Sequence, residues 1–197
     1  MEGVKLAHDD KDSCIRRPLA KTPLEPLNIE RLKPRPLDIE IEILYCGICH
    51  SDVHKVNDDW ASTHFPVVPG HEIAGRVASR GNSATRFQEG DLVGVGCIID
   101  SCLACPGCRA GHEMFCEKGV TFTFDSLDQN TETWTYGGYS TNIVVDERYV
   151  LRIPKGTQSC QSRSTNVLAS RRTRPCDNSD VSRETMSLSL AWAVWAT

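Results

Sequence analysis

The chain has 197 residues, a net charge of −4, 24% charged residues and 40% hydrophobic residues. That length allows one domain, or one domain and a tail, and the composition is ordinary for a globular protein with a core. The acidic balance excludes nucleic acid as the expected partner, because phosphate binding wants a basic face.

Met1 to Arg17 is polar, shows no periodicity and has no apolar stretch of the kind a signal peptide needs. Cys14 there reads as an unremarkable thiol. From Leu19 the chain is punctuated by Pro23, Pro26, Pro34 and Pro36, which favour extended segments and turns. Ile39, Ile41 and Ile43 then alternate with Glu40 and Glu42, a period of two that predicts a half-buried strand. Ser51 to Val56 reads as a short helical turn with Ser51 as its N-cap. Phe65 to Pro69 is a proline-bounded extended piece. Ile73–Ser79 and Asp91–Ile99 are strand candidates separated by a polar turn at Gly81-Asn82. Gly137-Gly138 reads as a tight turn, and two further strands follow at Ile143–Val145 and Val150–Leu151.

The chemistry gathers between Leu44 and Glu72, where one stretch holds Cys49, His71 and Glu72, each beside or near a glycine. Thiolate and neutral imidazole suit zinc, and a catalytic zinc keeps one position open for water or substrate. A second group, Cys102, Cys105, Cys108 and Cys116, has the spacing Cys-x2-Cys-x2-Cys-x7-Cys, with Pro106, Gly107 and Gly111 supplying turns. That pattern reads as a closed structural zinc site rather than a disulfide framework. His112 lies in the same loop, but four thiolates already fill the shell. Cys97 reads as a small buried hydrophobe. Ten cysteines in this pattern, without a leader, place the protein in a reducing, cytoplasmic compartment. Leu188 to Ala196 is far shorter than the roughly 20 apolar residues of a membrane span, so no membrane association is expected.

Cys-His-Ser-Asp-Val-His (Cys49 to His54) and Gly-His-Glu-Ile-Ala-Gly-Arg-Val (Gly70 to Val77) resemble the signatures of the zinc-dependent medium-chain alcohol dehydrogenases, closest to the NADP-dependent cinnamyl-alcohol-dehydrogenase type. The resemblance runs from about Lys21 to Lys155. It implies a mainly β fold, an irregular GroES (chaperonin-10)-like β-barrel over residues 19–154 with a protruding structural zinc lobe, after a poorly matched segment 1–18. It also implies that the catalytic zinc ligand is Cys49 and not Cys46, despite the Cys-x2-Cys spacing of that pair. His71 is the second ligand, and Glu72 is the carboxylate that can occupy the open position.

The resemblance further assigns Ser51 and His54 to a proton relay, against their plain reading as an N-cap and a surface histidine. Asp52 would hold the second ring nitrogen of His71, a role compatible with that of a helix-start carboxylate. His50 would face the cofactor pyrophosphate. Trp60 would line a pocket for a small alcohol or aldehyde, although a place in the core is an equal alternative. NADP is the implied cofactor; the oligomeric state is left open.

After Lys155 the match stops, and residues 155–197, which carry a net +3 against −7 for the rest, read as disordered. No G-x-G-x-x-G occurs, and the remaining length is too short for the family's Rossmann domain. The family's last zinc ligand is a cysteine in a Leu-x-Cys-Ala-Gly-Val-Thr string, and Cys160 does not match it. Read from the third base of the Thr165 codon, however, the codons through Asp177 permit Gln-Cys-Ala-Gly-Val-Thr-Ala-Tyr-Ala-Ala-Leu-Arg-Gln. The expectation is therefore an out-of-frame tail and a polypeptide inactive by itself. The alternative is a non-enzymatic zinc-binding or interaction module on the same barrel.

Overall fold

The computed structural model describes residues 13–16, 18–20 and 22–154. The expectations for the first twelve residues, and for the tail with Cys160 and its out-of-frame reading, lie outside the described residues.

Two short strands come first, β1 (Ser13–Arg16) and β2 (Glu25–Asn28), paired antiparallel with Cys14 opposite Leu27. Strand β1 was not legible in the sequence, where Met1 to Arg17 showed no periodicity. Pro26 is tolerated because the hairpin is two-stranded and leaves β2 an outer edge. Cys14 is fully buried and packs with Ile29 and Val68, so it is a core residue rather than an incidental thiol.

The predicted alternation at Ile39 to Ile43 falls in the ten-residue strand β3 (Asp38–Gly47). A helix, α1 (His50–Asn57), leads toward β4 (Glu72–Arg80), which pairs antiparallel with β3. Strand β5 (Leu92–Val95) and strand β6 (Ile98–Ser101) follow. Asp91–Ile99, expected as one strand, is therefore two. The break sits where the Gly96 carbonyl accepts from the Thr123 hydroxyl, and the Cys97 carbonyl accepts from the Thr123 N–H at 2.9 Å. Those bonds turn the backbone out of the main sheet.

A one-turn helix, α2 (Pro106–Arg109), lies in the excursion between β6 and its antiparallel partner β7 (Val120–Phe122). Strands β8 (Asn142–Asp146) and β9 (Val150–Arg152) complete the set. The main sheet has the order β8-β3-β4-β5-β9, antiparallel throughout. Register shifts at Glu40/Ile41 and Ile43/Tyr45 bend β3, since an unpaired residue raises local twist. The mainly β expectation holds.

The core of this curled sheet contains Ile39, Ile41, Ile73, Val77, Val93, Val95, Ile143 and Val145. Each such fully buried side chain contributes about 1.5–3 kcal/mol of transfer free energy. The β3–β4 register then places the site. Cys46 lies opposite Ile73 and Gly47 opposite Glu72 at the last rungs of the ladder. Cys49 and His71 sit just beyond the same paired end. Among the described residues, no helix is long and apolar enough to cross a membrane.

Candidate functional site

Helix α1 starts two residues earlier than Ser51 as N-cap would have it. Cys49 is the N-cap, with extended φ −108° and ψ 154°, and the predicted N-cap Ser51 is already inside the helix. The reason is Asp52, whose Oδ2 accepts the Cys49 backbone N–H at 2.8 Å. A carboxylate three residues into a helix can reach back to an orphan donor in this way. The same contact ties the thiol-bearing residue to the helix.

His71 follows Gly70, whose φ of +103° belongs to the region that glycine alone enters without strain. The turn brings the His71 ring over Asp52. Asp52 Oδ1 accepts from the Gly70 N–H at 3.0 Å and lies 3.2 Å from His71 Nδ1. With Nδ1 engaged, Nε2 is the ring nitrogen left for a ligand role. Asp52 is only 2% exposed.

One ligand atom each from Cys49, His71 and Glu72 lies within 4.8 Å of the others. Soft sulfur, imidazole and carboxylate together form a donor set that fits zinc. Burial disfavours a charged His71 ring, but the side-chain hydrogen bonds to Asp52 and Cys97 outweigh it and raise its pKa to about 11. A cation at Nε2 would compete with that proton. Glu72 is raised as well, by burial and by the charge of Asp52, against His71. Cys46 stands outside the cluster, and burial pushes its thiol up to about 12; it is an inert thiol.

The remaining sequence candidates fall on α1 or just beyond it. Ser51 and His54 share one helical face, and His54 Nδ1 engages Asp59 Oδ2 at 2.8 Å rather than Ser51. His50 is exposed, with its ring centroid 4.6 Å from that of His54. Trp60 is 53% exposed and lies 5.0 Å from the His54 ring, which removes the core alternative. Cys97 is exposed, not buried as its surroundings in the sequence implied. The break between β5 and β6 turns it out beside His71.

Sequence reasoning missed three neighbours. Phe124 stacks on the His71 ring at 5.8 Å. Asp125, whose side chain is fully buried, pairs with Lys55 and accepts the His64 N–H at 2.8 Å, pinning α1 to the following loop. Tyr139 donates to Asp52 Oδ2 at 3.1 Å. All three act across long sequence separations, so no local pattern announces them.

The second cluster occupies the loop between β6 and β7. Ligand atoms of Cys102, Cys105, Cys108 and Cys116 lie within 4.8 Å of one another, with 3.9 Å between the sulfurs of Cys102 and Cys108. A tetrahedral zinc with Zn–S near 2.3 Å requires sulfurs about 3.8 Å apart. Cys105 caps α2, its Sγ accepting the Cys108 N–H at 3.4 Å, and Pro106 opens the helix. Such N–H donors favour thiolates; those of Ala104 and Cys105 lower the Cys102 pKa to about 6. The Tyr149 hydroxyl donates to Ser101 at 2.7 Å, which leaves the Ser101 proton for Cys108 Sγ at 3.2 Å.

A curled antiparallel sheet, a four-cysteine lobe and a Cys–His–Glu cluster at one sheet end define the GroES-like domain of the medium-chain dehydrogenase class. The profile described as the alcohol dehydrogenase GroES-like domain matches residues 35–155, and the chain belongs to that family. It is 54% identical over 134 residues to the aldehyde reductase YahK of Escherichia coli K12, covering 68% of this chain and 38% of that protein. It is 50% identical over 135 residues to the NADP-dependent alcohol dehydrogenase C of Mycobacterium bovis, covering 68% and 39%.

Among solved structures, CAD from Helicobacter pylori complexed with NADP(H) matches with a TM-score of 0.71 at 41% identity, covering 74% of this chain and 42% of that one. A cinnamyl alcohol dehydrogenase of Sorghum bicolor matches with a TM-score of 0.75 at 34% identity, covering 78% and 44%. The chain thus spans less than two fifths of the length of these two curated relatives.

Proposed function

We propose that residues 19–154 form the zinc-binding catalytic domain of an NADP-dependent alcohol dehydrogenase that interconverts primary alcohols and aldehydes by hydride transfer. The observation that supports this most directly is the convergence of Cys49, His71 and Glu72 at the end of the β3–β4 ladder. Bound there, zinc would supply Lewis acidity that lowers the pKa of an alcohol hydroxyl, and NADP would accept the hydride. Cys49 Sγ and His71 Nε2 would hold the metal, and Glu72 would be the adjacent carboxylate that can occupy the open position. Asp52 fixes the tautomer of His71.

Ser51 Oγ takes the proton leaving the alcohol, and His54 passes it to solvent as the carbinol C–H departs as hydride. This is general base work, with His54 oriented by Asp59 rather than by Ser51. His50, exposed at the start of α1, would face the cofactor pyrophosphate. Trp60 presents an aromatic wall suited to aromatic or apolar alcohols. Cys102, Cys105, Cys108 and Cys116 hold the structural zinc.

Positioning of hydride donor and acceptor supplies roughly 7–11 kcal/mol of such a barrier. The sequence of these 197 residues contains no G-x-G-x-x-G string with which to do so. The purified polypeptide is expected to show no measurable NADPH-dependent aldehyde reduction. A chimaera joining residues 1–154 to the remainder of the Escherichia coli aldehyde reductase is expected to reduce aldehydes. Turnover by the polypeptide alone would end the account of its inactivity. A folded, zinc-loaded but inert chimaera would favour the non-enzymatic zinc module.

A further inference from the structure

The segment Gly137–Tyr139 is not a free-standing tight turn. It lies against Val68–Gly70, with the N–H of Gly137 donating to Val68 O at 2.8 Å, that of Gly138 to Gly70 O at 2.8 Å and that of Tyr139 to Pro69 O at 3.0 Å. Two glycines are needed because of this approach. A Cβ on Gly137 would lie 2.5 Å from the carbonyl oxygens of Pro69 and Gly70. A Cβ on Gly138 would lie 2.4 Å from Ile73 and 2.7 Å from Cys46 Sγ. On the far side, the Tyr139 carbonyl accepts the Ile15 N–H of β1 at 2.8 Å. The backbone of Tyr139 is therefore clamped between β1 and the turn that delivers His71.

The clamp aims one polar group at the site. Tyr139 Oη donates to Asp52 Oδ2 at 3.1 Å, with the Gly47 carbonyl farther away at 3.4 Å. Burial and the nearby Asp52 charge raise the phenol pKa, so Tyr139 remains a donor. Asp52 is then held from four directions: by the Cys49 N–H and Tyr139 on Oδ2, and by the Gly70 N–H and His71 on Oδ1. Without the phenol, Oδ2 keeps one partner and the carboxylate is freer to swing about its side-chain bond. Cys49 and His71 are both registered on that carboxylate, so their separation loosens together.

We propose that Tyr139 is a positioning residue of the metal centre, its hydroxyl locking the Asp52 carboxylate that keeps Cys49 and His71 at ligand distance. The proposal rests on the reading of Cys49, His71 and Glu72 as a metal site. It also gives the β1 strand a task, since β1 anchors the backbone from which the phenol projects.

The test is cobalt(II) titration of the full 197-residue chain and of Y139F, Y136F, D52N and the Y139F/D52N double variant, in competition with a chelator. Cobalt in the four-thiolate lobe and cobalt at Cys49 and His71 absorb differently, so the two sites are read separately. Outer partners of metal ligands are worth about 10–100-fold in affinity. Y139F is therefore expected to bind the second cobalt about tenfold more weakly with altered d–d absorption, while its lobe site and Y136F match the wild type. Removing the hydroxyl in the D52N background should add nothing, because coupled residues fail to add.

Wild-type affinity in Y139F, or losses that multiply in the double variant, overturns the proposal. Loss of the lobe metal in Y139F also overturns it, since the hydroxyl would then be holding the fold. If the wild type takes up cobalt only in the lobe, the metal-site reading itself fails and the proposal falls with it.

Discussion

Replacing Asp52 by alanine is expected to destabilise the domain by about 3–5 kcal/mol, the range for removing one partner from a buried charged network. The carboxylate is 2% exposed and receives the Cys49 N–H, the Gly70 N–H, the His71 ring and the Tyr139 hydroxyl. Alanine leaves those donors facing a space with no acceptor, and each unsatisfied buried group costs about 1–3 kcal/mol. Set against a total stability of about 5–15 kcal/mol, the loss is large. Urea unfolding of the zinc-loaded chain measures it through the midpoint. Asn at this position keeps the shape but offers one acceptor oxygen and an amide donor, so D52N should fall between alanine and wild type. A D52A midpoint equal to the wild type would mean that the network carries no stability.

The second large effect concerns the lobe. Its interior is the sulfur cluster itself: Cys105, Cys108 and Cys116 pack with Cys102 and Val120, and little else. Met114 and Phe115 point outward, Phe115 being 71% exposed. A loop with so little apolar burial cannot offset its own conformational entropy. Metal binding supplies the difference, with apparent values of about 10–16 kcal/mol for zinc-finger peptides. C105S is expected to lose one zinc per chain and to lose amide-exchange protection between Cys102 and Gly119, while the five-stranded sheet stays protected. Unchanged protection of the loop in metal-free C105S would show that it folds without help from the metal.

Much of this arrangement was legible in the sequence because it is written locally. The Ile39, Ile41 and Ile43 alternation marks β3, since one face of a strand is read every second residue. The cysteine quartet is visible because its four thiols are spaced by short turns, and the Cys49, His71 and Glu72 set because the residues around it resemble the family's motifs. What was not legible depends on partners distant in the chain. Strand β1 has four residues and no alternation; it exists because Glu25–Asn28 and Tyr139 pair with it. The α1 N-cap moved to Cys49 because Asp52 competes for its backbone better than a serine hydroxyl does. Cys97 turned outward because Thr123, more than twenty residues later, breaks the strand that would have buried it. Tyr139 is invisible for the same reason, its role being set by a hydrogen bond to Asp52 that spans 87 positions.

Zinc K-edge X-ray absorption on the wild type and on C105S, with zinc counted per chain, addresses the central claim most directly. Two zinc ions per wild-type chain are predicted, with C105S retaining one whose coordination is a single sulfur together with nitrogen and oxygen donors. A wild type with one zinc, bound to four sulfurs only, would show that residues 49 and 71 do not share a metal and would contradict the account.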